Sequence, residues 1–281
     1  MNLLRPFSLA ILLVASACSG GDEPTTDQKP TVEKQSAVAP PLKDKMPDLT
    51  SDDNIALVPS PVETEKALRK AGIDKKLSDL ISNRELDVKN QNLDNAAVRT
   101  GVVIADMLLT VKTADKATLE SHLSKIQVGM KQLGGGDDIA VTIEDLQERV
   151  KADAVNRDKL LHELDELSGA VIPELKFNGQ NRIVPLIQAG SWLEGANLVA
   201  KAVQDEQNYA AADALLKQPA VVDYFIKYVR TTGKDKAPAP ITAKLDASLS
   251  TLKVLAEKKE PFTLEDIESV ITVTNDVLAL L

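Results

Sequence analysis

Four residues of this sequence are the strongest candidates for chemistry: Arg99, Asp106, Trp192 and Glu194. Asp106 lies in a predicted helix that is otherwise almost wholly apolar. Arg99 lies on the same narrow polar stripe of that helix. A buried carboxylate needs a partner, or it takes up a proton. Asp106 therefore either forms a structural ion pair with an Arg or Lys, which we favour, or binds the cation of a ligand.

Trp192 and Glu194 belong to a second predicted helix. Trp192 lies in the middle of its apolar stripe, which favours core packing over a platform for a ligand. Glu194 follows two residues later and points to the opposite face, beside Asn197 and Lys201. The two side chains therefore cannot line the same wall of one pocket.

Sequence motifs of catalysis and metal binding are missing. His162 begins H-E-L-D-E, but the second histidine that a zinc protease needs does not follow, and His122 is the only other histidine. Ser191 lies in G-S-W-L-E and not in the G-x-S-x-G of a nucleophile elbow. Glycine-rich phosphate-binding motifs do not occur. We therefore expect no enzyme, no metal site and no cofactor.

Cys18, the only cysteine, follows a segment with the composition of a secretory signal. Arg5 supplies a positive charge, and the apolar run over residues 8–17 is too short to span a bilayer. Because Ala15, Ser16 and Ala17 are small, the junction resembles the lipobox of bacterial lipoproteins. In that family the cysteine is acylated, as by palmitate, and becomes the mature N-terminus. The resemblance implies a signal peptide over 1–17 and membrane attachment through lipid on Cys18.

Composition limits the location and the partners. Ser19 in place of Asp favours the outer membrane, facing the periplasm, by the sorting rule that some Gram-negative bacteria follow. With a net charge of −9, the protein lacks the basic surface that nucleic-acid binding requires. Residues 18–60 predict a flexible tether, since this segment is rich in proline and charge and has no aromatic residue.

Helical periodicity from residue 61 onward predicts one all-α domain over 61–281. Roughly ten helices would form a single bundle or an irregular array behind the disordered tether. Capping boxes are predicted at Thr142 with Asp145 and at Thr263 with Asp266. Gly190 and Gly195 are expected to permit close helix contacts. The predicted helices cover about 61–71, 74–82, 93–112, 115–133, 143–152, 156–176, 181–205, 207–217, 219–231, 238–258 and 264–281.

Four segments resemble an uncharacterised family of secreted, all-helical bacterial lipoproteins. They are V-P-S-P-V-E at 58–63, L-R-K-A-G-I at 68–73, G-V-V-I-A-D at 101–106 and A-G-S-W-L-E-G at 189–195. Their order and spacing are also similar, over roughly residues 57–200. The resemblance implies a secreted helical domain and brings no activity with it.

These observations favour a lipid-anchored envelope protein that works as a non-enzymatic binding or interaction module, with an envelope protein as its partner. The alternative is a helical lipoprotein that binds a small solute in a pocket near Asp106. Polar groups that converge around Asp106 would favour the alternative, whereas an exposed apolar face would favour the interaction module.

Overall fold

The computed structural model describes residues 58–82, 84–231 and 239–279. Within these ranges the chain forms ten α-helices, one short 3₁₀ helix (Leu77–Leu80) and no strand, which confirms the predicted all-α class. The predicted signal peptide, Cys18 and the tether up to residue 57 lie outside the described residues. The helices are α1 (Pro61–Lys70), α2 (Leu93–Thr110), α3 (Lys116–Gln132), α4 (Asp137–Lys151), α5 (Arg157–Phe177), α6 (Val184–Glu206), α7 (Tyr209–Leu216), α8 (Pro219–Arg230), α9 (Ala239–Ala256) and α10 (Leu264–Leu278).

Side-chain caps fix where the first and last helices begin. At α1, the backbone N–H of Glu63 donates to the Ser60 hydroxyl, and the backbone N–H of Ser60 donates to the Glu63 carboxylate at 2.9 Å. The predicted box of Thr263 and Asp266 opens α10 in the same reciprocal way. Each box satisfies backbone N–H groups that a helix start leaves without partners.

Two predicted elements differ from the structure. The capping box at Thr142 is wrong, because α4 already begins at Asp137 with Gly136 as its N-cap. Asp137 and Asp138 stabilise that start, since acidic groups interact favourably with the positive end of the helix dipole. The Thr142 hydroxyl lies inside the helix and donates to the carbonyl of Asp138 at 2.8 Å. The helix predicted over 74–82 is reduced to the 3₁₀ helix.

Helices α2 and α6 form the centre of the fold and run in the same direction. Arg182, just before α6, pairs with Asp94 in the first turn of α2. Twelve residues further along each chain segment, Asp106 of α2 and Glu194 of α6 again lie close together. Because the second contact lies twelve residues after the first in both segments, the axes of α2 and α6 run parallel. The long connection between them is formed by α3, α4 and α5.

Glycines bring the backbones of α2 and α6 into direct contact. A Cβ at Gly101 would lie 2.0 Å from the carbonyl oxygen of Ile187, and one at Gly190 would lie 2.0 Å from that of Val98. Neither position can hold a methyl group unless the helices separate. This confirms the close contact predicted for Gly190.

The remaining helices pack around the central pair, either directly or on one another. On one side, α3 packs on α2 and α4 packs on α3. On the other side, α10 packs on α6, and α9 packs against both α8 and α10. Helix α6 is consequently buried on nearly all sides, although its sequence shows only one clear apolar stripe. Its buried Asn197 donates from Nδ2 to Thr274 Oγ1 at 2.8 Å and to Asn275 Oδ1 at 2.9 Å, both on α10.

We predict that Gly190→Ala lowers the free energy of unfolding by about 1–3 kcal/mol, because a methyl group facing a backbone oxygen forces α2 and α6 apart. Urea titration followed by circular dichroism measures this change.

Gly195→Ala, on the same helix, is the matched control. The close contact predicted for Gly195 is wrong: nothing lies within 4 Å of a Cβ there, and the residue borders a cavity of about 20 Å³. The added methyl fits, so stability should be unchanged or raised by up to about 1 kcal/mol. Equal losses in both variants would contradict the packing described for Gly190.

Candidate functional site

Two carboxylates lie buried between the central helices. Asp106 comes from α2 and Glu194 from α6, one turn beyond the glycine contact at Gly190. Their side chains are 9% and 0% exposed, and they are within hydrogen-bonding reach of each other. The parallel register of α2 and α6 therefore brings together two of the four candidate residues named from the sequence.

Arg84 supplies the positive charge of this cluster. Its Nη2 lies 2.6 Å from Glu194 Oε2 and 3.6 Å from Asp106 Oδ2. Arg84 belongs to the irregular segment between the 3₁₀ helix and α2, and its side chain remains 21% exposed. The cluster therefore extends from the core to the surface along the Arg84 side chain.

The Asp106 carboxyl holds its proton at neutral pH. Burial, and then the neighbouring Glu194, raise its pKa from 3.8 to about 8, against the opposing effect of Arg84. With Asp106 protonated, Glu194 negative and Arg84 positive, the cluster is electrically neutral. Ionised Asp106 would leave one uncompensated negative charge in a buried place, which is costly.

Two lysines act on the cluster from its edges. Lys125 of α3 favours the ionised form of Asp106, as Arg84 does. Partial burial lowers the pKa of Lys201 on α6, although the Glu194 carboxylate acts in the opposite direction. Burial, and then Lys125, also lower the pKa of the nearby His122.

The other two sequence candidates lie outside the cluster. Arg99 donates from Nη1 to the backbone carbonyl of Asp87 at 2.7 Å, so it fastens the segment that carries Arg84. Trp192 is buried against Phe225, with 5.5 Å between ring centroids, and donates from Nε1 to Gln218 at 2.9 Å. Trp192 therefore belongs to the core, as its place in the apolar stripe indicates.

Arg84 is the cluster residue that sequence reasoning missed. It lies in a stretch without helical periodicity, I-S-N-R-E-L-D-V, and nothing in that stretch sets its charge apart from neighbouring charges. The one available signal was indirect: a carboxylate predicted to be buried implied a basic partner somewhere in the chain.

Within the described ranges, His, Cys, Asp and Glu side chains form no group of three that could hold a metal ion. Nor does any helix in these ranges have the length and apolar character needed to cross a bilayer.

Comparisons with protein-family models, with curated proteins and with solved structures find no match to this chain. The function proposed below therefore rests on the sequence segments and on the geometry of this chain.

We predict that Asp106→Asn changes how stability depends on pH. A carboxyl whose pKa rises on folding contributes stability that is complete below its unfolded value of 3.8 and is lost as pH rises through about 8. In wild type this contribution should fall by about 1.4 kcal/mol per pH unit between pH 5 and pH 8. The Asn variant should lack this slope and be more stable than wild type at pH 8.5, as measured by urea unfolding from pH 5 to 9.

Asp158→Asn provides the control, because Asp158 is 80% exposed and paired only at the surface with Lys112. Its unfolding curve should follow wild type throughout this range. Parallel wild-type and Asp106→Asn curves would show that Asp106 is ionised in the folded protein.

Proposed function

We propose that this protein is a lipid-anchored component of the bacterial cell envelope that works as a non-enzymatic binding module for another envelope protein. The support for the anchor is the lipobox-like junction at Cys18. The support for the outer membrane is Ser19, and the resemblance to secreted helical lipoproteins agrees with both. A tether over residues 18–60 would let the helical domain reach a partner away from the bilayer.

One observation carries the proposal of a protein partner. Phe177, at the end of α5, is 87% exposed, and it is the one exposed aromatic side chain of the described residues. It lies beside the connection that opens α4, where Asn178 Nδ2 donates to the carbonyl of Gly134 at 3.4 Å. Helix α4 carries a second exposed apolar residue, Val141. Aromatic side chains are enriched at the centres of protein interfaces.

Site-specific photo-crosslinking in cells tests the interaction. We expect a crosslinkable phenylalanine analogue at position 177 to capture one envelope protein reproducibly. The variant Phe177→Ser should reduce co-purification of that same protein, because it removes the apolar anchor without disturbing the core.

Position 254 offers a matched control. Val254 is also exposed and apolar but lies on α9, which packs against α8 and α10. The analogue at 254 should not capture the protein found at 177. Equal capture at both positions, or none at 177, would contradict a docking surface at the end of α5.

A second function is favoured by a separate observation. Three ionisable groups, from Arg84, Asp106 and Glu194, converge between α2 and α6. Convergent polar groups of this kind are typical of sites for small molecules. A lipoprotein that binds a small solute near Asp106 is therefore the alternative to a protein-binding module.

The lipid anchor is tested independently of either partner. Cys18→Ala should move the protein from the membrane pellet to the soluble fraction, because acylation needs the thiol. Cell fractionation followed by immunoblotting measures the distribution. Retention of the variant in the membrane pellet would refute an anchor that depends on this cysteine.

A further inference from the structure

We propose that Asp106 and Glu194 form a seat for the primary ammonium group of a small solute, bound beside Arg84. The inference rests on the second function above, solute binding near Asp106, and names its ligand class. It is independent of the protein partner at Phe177.

Charge balance is the first argument. The resting cluster is neutral because Asp106 carries a proton. One added monovalent cation would replace that proton, since Arg84 and the ligand would then balance two ionised carboxylates. Binding is thus an exchange in which Asp106 releases its proton to solvent and the resulting carboxylate forms an ion pair with the ammonium. The buried site has zero net charge both before and after the ammonium binds. Neither state therefore contains an unpaired buried charge, which would be destabilising.

Unused hydrogen-bonding capacity is the second argument. Arg84 approaches both carboxylates through Nη2 alone, while its buried Nε has no hydrogen-bond partner among the described residues. Asp106 Oδ1 and Glu194 Oε1 are buried and accept no hydrogen bond from any described N–H group. A guanidinium can grip a carboxylate with two parallel bonds, and here it does not. The carboxyl oxygens are left with the proton that they share.

The few carboxylate oxygens at this place suit an ammonium group and not a metal ion. An ammonium offers three N–H donors on a compact charge, which suits a few carboxylate oxygens facing one another. Calcium takes six to eight oxygen ligands. The described residues place only two carboxylates here, and they form no group that could hold a metal.

Access follows the Arg84 side chain. Both carboxylates are fixed on packed helices, whereas Arg84 comes from an irregular segment and is partly exposed. Entry of a small ammonium beside the guanidinium requires the Arg84 segment to shift, because the side chains of Asp106 and Glu194 are only 9% and 0% exposed.

The charged groups facing Asp106 set the expected pH dependence. They are Glu194 on α6, Arg84 on the irregular segment and Lys125 on α3, with Lys201 further along α6. Because a proton must leave, affinity should weaken about tenfold for each pH unit below the Asp106 pKa.

Calorimetry with ethylammonium chloride on the whole protein tests the proposal. Titrations at pH 7 in two buffers of different ionisation enthalpy should give one site and nearly one proton released per ammonium bound. Affinity at pH 6 should be about tenfold weaker than at pH 7. Tetramethylammonium, which has the same charge and no N–H donor, should not bind.

Variants complete the experiment. Asp106→Asn should lose both binding and proton release, and Glu194→Gln should lose binding, while surface variant Asp158→Asn should behave as wild type. Circular dichroism establishes that each variant is folded. The proposal is overturned if folded wild type gives no saturable heat at millimolar ethylammonium, if tetramethylammonium binds equally well, or if folded Asp106→Asn binds as wild type does. Each of these results leaves the crosslinking test at position 177 unaffected.

Discussion

The contact between the backbones of α2 and α6 is the constraint on which the rest of the structure depends. Gly101 and Gly190 let each helix touch a carbonyl of the other, and no side chain separates them. Two helices at this distance and in parallel register must bury whatever they carry on their facing surfaces. Asp106 and Glu194 are carried there, so the position of the charge cluster follows from the glycine contact.

Stability alone does not explain a cluster of this kind. Replacing a buried ion pair with apolar side chains of similar volume is often neutral or stabilising, by about 1–4 kcal/mol. The neighbours of Asp106 on α2 are apolar, so an apolar residue there would suit the packing. Two acids and one arginine therefore cost stability where the carboxylates are buried, and the ammonium seat that we propose would be a physical reason for that cost.

The sequence predicts the helical class and most helix positions, because apolar periodicity and capping residues are local signals. It also predicts burial of Asp106, since nearly every neighbour on that helix is apolar. It could not predict that Glu194 lies beside Asp106, because that depends on the register of two helices separated by three others. Arg84 could not be predicted either, because its stretch has no helical periodicity and nothing sets its charge apart from neighbouring charges. The start of α4 was missed because a glycine cap and two aspartates gave a weaker pattern than the T-x-E-D motif five residues later.

The two carboxylates of the cluster are held more rigidly than Arg84, and this difference affects what the cluster can bind. The carboxylates are fixed by helices that the glycine contacts lock together, so their spacing is set before any ligand arrives. Such preorganisation lowers the entropic cost of binding. Arg84 is held less directly, through the bond from Arg99 to the backbone of Asp87. The cluster therefore combines two carboxylates fixed on packed helices with a cation carried by an irregular segment.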